Sequence, residues 1–253
     1  MTQDSPPFTE TLAAFNRDPL SLLWRIPGAW PVDKLSGPSS NLVVVRARKA
    51  LNLKKIGHAG TLDPLASGLL LLLTGNATRL FDHMQEFTKS YTAGFRLGFR
   101  TDSQDTTGQP LIDFAPTVPL PVPEEAVEAA LARFRGDILQ TPPMHSAIKK
   151  DGQPLYKLAR QGVEIDRPAR PVTVHDLRLK SFDGREGVLE MTVSKGFYVR
   201  TLVDDLGLAL GTGAVMTSLE RTAIGPYRLE DAVALEELAD RKESSRTSDR
   251  AET

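Results

Sequence analysis

Hydrophobic spacing divides the chain into short elements of both kinds. "AWPVDK" predicts a short strand ending at Lys34. "SGPSSNLVVVRARKALN" then takes helical spacing, with Ser39 or Ser40 as the cap and Leu42, Val43, Val45 and Leu51 available for a core. The five leucines at residues 69–73 form the longest purely apolar run and read as a buried strand. "SYTAGFRLGFRT" alternates Tyr91, Ala93, Phe95, Leu97 and Phe99 with small or polar residues, a strand signal, and leads into a polar loop holding Asp102 and Asp105. "EEAVEAALARFRG" has the helical period, acids in its first turn and Gly136 at its end. A Pro-rich loop and a basic segment precede a short helix in "PLYKLARQG". "RPVTVHDLRLKSF" and "GVLEMTVSKGFYVRT" alternate as an antiparallel pair turned by Asp183-Gly184. "VRTLVDDLGLALGTG" predicts an amphipathic helix closed by glycine, and "AVMTSLERTAIGPY" a final strand. The elements mix without a regular βαβ rhythm, so the expected class is α+β on a mainly antiparallel sheet.

Composition narrows the possibilities. At 253 residues, 40% hydrophobic and 25% charged, the chain can bury an ample core in one large domain or two small ones. No apolar run is long enough to span a bilayer and the N-terminus lacks an apolar signal region, so a cytoplasmic protein with no membrane partner is expected. The absence of cysteine excludes disulfides, thiolate zinc sites and a cysteine nucleophile. His58, His83, His145 and His175 are scattered without HxH or HxxxH spacing, and no metal site is expected. Net charge is −1, yet the basic residues are segregated. Lys34, Arg46, Arg48, Lys49, Lys54 and Lys55 precede Leu62 with no acid among them; a second group comprises Lys149, Lys150, Lys157, Arg160, Arg167 and Arg170. Such grouping on a nearly neutral chain suits a phosphate-binding face.

The stretch "KKIGHAGTLDPLASGLLLLLTGNATRL" carries the candidate chemistry. Asp63-Pro64 is a turn dipeptide, because Asp bonds its own backbone and Pro presets φ. Flanked by Gly60 and Gly68, it is also the kind of constrained turn that displays a catalytic side chain.

Four segments, "GHAGTLDPLASGLL", "KSYTAGFRLGFRTDSQD", "QTPPMHSAIKKDGQPLYKLARQG" and "SKGFYVRTLVDDLG", together resemble the TruB-type tRNA pseudouridine synthases over roughly residues 29–228. The resemblance implies an α+β catalytic domain on a long mixed sheet, acting on the uridine at position 55 in the T loop of tRNA. It also implies that Asp63 is the catalytic aspartate, that Tyr91 stacks on the flipped base, and that Arg200 pairs with the catalytic carboxylate. His58 matches the histidine that helps hold the T loop open, Asp105 an aspartate that organises the cleft, and Tyr198 lies two residues before Arg200. Lys34, Lys149 and Lys150 join them as expected substrate-binding residues. Leu35 stands in "DKLSGPSS" where the family usually has proline. The expected layout is an N-terminal extension (1–28), a catalytic domain (29–230) and a short charged, disordered tail (231–253) in place of the family's C-terminal PUA domain.

The chemistry suits these residue types. Pseudouridine formation breaks the bond between ribose C1′ and uracil N1, rotates the base and joins C1′ to C5, so no cofactor is needed. It requires an ionised carboxylate, whether that group attacks C1′, attacks C6 or starts an elimination. Burial beneath a base favours protonation of a carboxylate, and a neighbouring guanidinium opposes this. A base folded into the T loop must be extruded and held, which a tyrosine ring can do by stacking. The partner expected is therefore the tRNA T arm, bound by a monomer through its basic stretches. Two other readings are a tRNA-binding folding chaperone with secondary or lost catalysis, and an N-glycosidase, which would change the mass of the RNA where isomerisation does not.

Overall fold

The computed structural model describes residues 28–150 and 152–237. Nearly all of the expected N-terminal extension, and the tail beyond residue 237, lie outside the described residues. In chain order the elements are β1 (Ala29–Lys34), α1 (Ser40–Leu51), β2 (Ile56–His58), β3 (Ser67–Thr74), α2 (Phe81–Glu86), β4 (Lys89–Leu97), α3 (Glu124–Leu131) and β5 (Gly136–Gln140). There follow β6 (Lys149–Lys150), β7 (Gln153–Pro154), α4 (Leu155–Ala159), β8 (Arg170–Phe182), β9 (Glu186–Val193), α5 (Val199–Ala209), β10 (Ala214–Ile224), β11 (Tyr227–Arg228) and β12 (Val233–Ala234). The class is α+β, with parallel and antiparallel strand pairs. The described residues form two compact units, one from residues 28–89 with 220–237, the other from residues 90–219.

The first unit is built around the leucine strand. β3 pairs antiparallel with β1 and β2 and parallel with the end of β10, and β12 adds parallel to β1. Leu69, Leu71 and Leu73 pack with Ala77, Leu80, Met84, Ile224 and Tyr227 on one face. Leu70 and Leu72 pack with Val32, Val43, Val44, Ala47 and Leu51 on the other. A strand buried on both faces has no polar side to offer, which accounts for the unbroken leucine run. Ser39 caps α1 by accepting the Leu42 amide. The helix turns Val43, Val44, Ala47 and Leu51 inward; Leu42 and Val45, expected in the core, are 39% and 46% exposed. Both lie one position away from the inward stripe that the cap sets.

In the second unit the strand order is β10-β4-β9-β8-β5, with β8 and β9 joined through the Asp183-Gly184 turn. Phe95 stacks on Phe182 at 5.9 Å, and α3 packs on α5. Two boundaries differ from the sequence expectation. α3 stops at Leu131, a short 3-10 turn follows, and Gly136, at φ +80°, opens the edge strand β5 rather than ending the helix. β10 is not the last strand, because β11 and β12 follow; Val233 pairs with Val32 inside the segment expected to be tail.

Gly68 holds φ +94°, and a Cβ there would lie 2.5 Å from the Arg221 carbonyl oxygen. Gly37 has φ +110° but open space around its Cβ position. In urea denaturation, Gly68→Ala is expected to cost at least about 2 kcal/mol, from strain plus a backbone clash. Gly37→Ala should cost about 1 kcal/mol, from conformation alone.

Candidate active site

The loop between β2 and β3, residues 59–66, presents Asp63. Its turn closes through the Ala66 amide, which donates to the Asp63 carbonyl at 3.1 Å with Pro64 at the preset position. Side chains from elsewhere in the first unit then take up the loop's backbone groups. Ser40 Oγ donates to the Leu62 carbonyl (2.9 Å) and accepts the Leu62 amide (2.8 Å), so the first residue of α1 holds the residue before Asp63 on both sides. Ser36 Oγ donates to the Leu65 carbonyl at 2.8 Å, and the Gly37 amide to that of Pro64 at 2.7 Å. Lys34 Nζ donates to the carbonyls of Leu35, Pro64 and Ala66. From beneath, Arg221 donates to Leu69 (Nε, 2.8 Å), Gly60 (Nη2, 3.0 Å) and Thr61 (Nη1, 3.5 Å).

Lys34 is 1% exposed and faces loop carbonyls, where it holds the turn. Burial lowers its pKa from 10.5 to about 8; the negative charge of Asp63 opposes that shift and the positive charge of Arg221 adds to it. His58, at the end of β2, is half-buried with its Nδ1 lacking a hydrogen-bond partner among the described residues. Burial, and then the Arg221 charge, hold its pKa below the usual histidine value, against a backbone hydrogen bond with Gly60. The imidazole is therefore the neutral form near pH 7.

Arg200, Asp105 and Tyr198 belong to the second unit. Arg200, on the first turn of α5, is 4% exposed. It donates to the carbonyls of Ser103 (Nη1, 2.8 Å) and His145 (Nη2, 2.8 Å), and its Nε lies 3.8 Å from Asp105 Oδ2. Asp105 is buried and accepts bonds from Ser103 Oγ, the Thr107 amide and Thr107 Oγ1. Gln140 clamps the backbone of Tyr198, accepting its amide at 2.7 Å and donating to its carbonyl at 3.0 Å. Tyr91 is half-buried on β4. Lys149 and Lys150 are exposed on the small β6–β7 hairpin. With Arg167 and Arg170 they line a cavity of about 210 Å³ whose apolar wall includes Ile148, Leu155 and Ile165.

Arg221 was not found from sequence. A signal existed: in "LERTA" the buried positions alternate as Leu219, Arg221 and Ala223, placing a cation on the inward face of a strand. Ser36 gave no comparable signal, because an exposed serine in a glycine-containing loop is ordinary.

Comparisons with known proteins identify the family. The description "TruB family pseudouridylate synthase (N terminal domain)" matches residues 48–199, and "tRNA pseudouridylate synthase B C-terminal domain" matches residues 200–252, extending past the end expected near Arg228. The chain is 47% identical over 213 residues to tRNA pseudouridine synthase B of Azoarcus sp., covering 84% of this chain and 70% of that one. It is 46% identical over 245 residues to the same-named protein of Burkholderia lata, covering 97% and 74%. Among solved structures, a chain of a Cbf5-Nop10-Gar1 complex superposes with TM-score 0.65 at 32% identity, covering 84% of this chain. A chain of an H/ACA RNP bound to a substrate RNA containing 2′-deoxyuridine gives 0.63 at 29%, covering 86%. The chain spans 54% and 55% of those two chains. It belongs to the TruB family of pseudouridylate synthases. Among the described residues no helix is long and apolar enough to cross a membrane.

The Lys34 shift carries a stability signature. Between pH 8 and 10.5 the unfolded chain holds a proton on this lysine that the folded chain has lost, so the contribution of Lys34 to stability rises with pH there and is lost as pH falls through 8. The difference in unfolding free energy between wild type and Lys34→Met should therefore move in favour of wild type from pH 8.5 to 9.5. The expected gain is about 1.4 kcal/mol, read by denaturant titration at each pH.

Proposed function

We propose that this protein converts uridine to pseudouridine in tRNA, at position 55 of the T loop, with Asp63 as the catalytic carboxylate. The observation that carries this reading is the construction of the Asp63 turn. Lys34, Ser36, Ser40 and Arg221 hold its backbone, which fixes the position from which the Asp63 carboxylate is presented. A carboxylate presented so firmly, in a chain of this family, fits a reaction that depends on placing one charged oxygen against one sugar or base carbon. The relatives named tRNA pseudouridine synthase B support tRNA as the substrate.

In this reading the extruded uridine stacks on Tyr91. The neutral imidazole of His58 occupies space within the opened T loop without adding charge. Arg200, held by the Ser103 and His145 carbonyls, supplies positive charge for the reaction, and Asp105 steadies that guanidinium. The glycosidic bond from C1′ to N1 breaks, the base turns, and C1′ bonds to C5. The C5 proton leaves and a proton returns to the freed ring nitrogen, so the isomer balances without an added reactant. Lys149, Lys150, Arg167 and Arg170 take RNA phosphates, which positions the strand without reading its sequence.

The test is incubation with unmodified tRNA transcript, followed by carbodiimide-based mapping of pseudouridine and by mass measurement of the RNA. Asp63→Asn is expected to abolish turnover while tRNA binding stays within about tenfold, or about 1.4 kcal/mol, of wild type. Pseudouridine formed by the purified Asn variant at more than a trace rate would rule out Asp63. Tyr91→Ala should weaken RNA binding by about 1–3 kcal/mol through lost stacking, whereas Tyr91→Phe should bind normally. Slow turnover in the Phe variant would assign the hydroxyl to transfer of the C5 proton; full activity would leave stacking as its role.

A further inference from the structure

Gln104 is, with Asn52, one of two non-glycine residues at positive φ among the described residues, at +65°. L side chains rarely adopt this conformation, and the surroundings hold it from every side. Its amide donates to the Thr101 carbonyl (3.2 Å) and its own carbonyl accepts the Met216 amide (3.1 Å). Its side chain meets two residues of α5. Oε1 accepts from Thr201 Oγ1 at 3.0 Å, and Nε2 donates to Asp204 Oδ2 at 3.2 Å. An ionised carboxylate only accepts, which assigns the amide nitrogen to the Asp204 side. Asp204 is buried and held in turn by Arg100, whose Nε and Nη2 each donate to one carboxylate oxygen at 2.7 Å. That fork is a bidentate charge-assisted pair.

The neighbours of Gln104 give the arrangement its meaning. The residue before it offers the Ser103 carbonyl to Arg200 Nη1 at 2.8 Å, and the residue after it is Asp105, 3.8 Å from Arg200 Nε. The backbone at Gln104 therefore sets the relation between these two groups, and its side chain ties that backbone to the turn of α5 that carries Arg200. We propose that Gln104, locked by Thr201 and by the Arg100–Asp204 pair, is a positioning residue for the reaction: it fixes the Ser103 carbonyl and Asp105 as a seat that aims the Arg200 guanidinium. This inference rests on the reading of Arg200 given under Proposed function.

Two variants with opposite backbone effects separate positioning from folding. Gln104→Gly relieves the left-handed backbone and removes both side-chain bonds. Gln104→Met keeps side-chain length and backbone strain and removes the same bonds. Each is compared with wild type by thermal unfolding, by affinity for a T-arm RNA hairpin, and by single-turnover pseudouridine formation at saturating protein. The expected result is that Gly melts no lower than wild type and binds the hairpin within threefold, yet forms pseudouridine at least tenfold more slowly, with Met slowed similarly. A Gly variant at full rate overturns the proposal, and so does a loss confined to RNA affinity. Arg200→Lys is measured beside them. If that variant keeps the wild-type rate, the reading of Arg200 fails; if it is slow while both Gln104 variants are fast, only the positioning role fails.

Discussion

The first unit depends on the Arg221 guanidinium. It is 1% exposed, enters from the parallel strand beside β3, and collects the carbonyls of Gly60, Thr61 and Leu69, which belong to both ends of the Asp63 loop. A carbonyl left unpaired in such a place costs about 1–3 kcal/mol, so one side chain compensates several backbone groups that a tight loop cannot pair with itself. Gly68 is the complement of this contact: the strand can come close enough to Arg221 only where no Cβ intervenes. Lys34 adds a second cation under the same turn. The two repel, and the Asp63 charge opposes that repulsion at Lys34. The turn is thus an electrostatic assembly as much as a backbone shape.

Much of this could be read before the structure. The leucine run, the Asp63-Pro64 turn, the β8–β9 hairpin and the α5 helix all follow from local pattern, because periodicity and turn chemistry are properties of neighbouring residues. What escaped the sequence was pairing at a distance. Lys34 and Arg221 look like surface cations in a linear reading, since buried charges are rare and their carbonyl partners carry no side-chain signature. Gln104 in a polar loop, Gln140 near a proline-rich stretch and Ser36 in a turn were equally silent. Each acquires its role from backbone groups far along the chain, such as the Tyr198 amide for Gln140. Gly136 misled for a related reason, because the same residue suits a helix end and the opening of a strand.

The second unit handles its charged residues differently. Asp105, Arg200, Asp204 and Arg100 lie within one connected set of hydrogen bonds and ion contacts, in which Asp105, Arg200 and Asp204 also bond neutral groups. Such a set is expensive to leave incomplete, since the low local dielectric that strengthens each bond also penalises each vacancy. It therefore specifies one loop arrangement more sharply than apolar packing of the same residues would.

The span between Leu69 and Arg221 also sets an order of events during synthesis. Arg221 lies 152 residues beyond the carbonyl that accepts its Nε. At roughly 5–20 residues per second, that delay is roughly eight to thirty seconds on the ribosome. Throughout it, the Asp63 turn has its sequence but lacks the guanidinium that joins its ends, and water must serve the Gly60 and Thr61 carbonyls instead. All of Ser90–Leu219 is translated inside that interval. A turn translated early in the nascent chain is thus among the last to take its final shape, and a ribosome stalled before codon 221 would carry Asp63 on an unfinished turn.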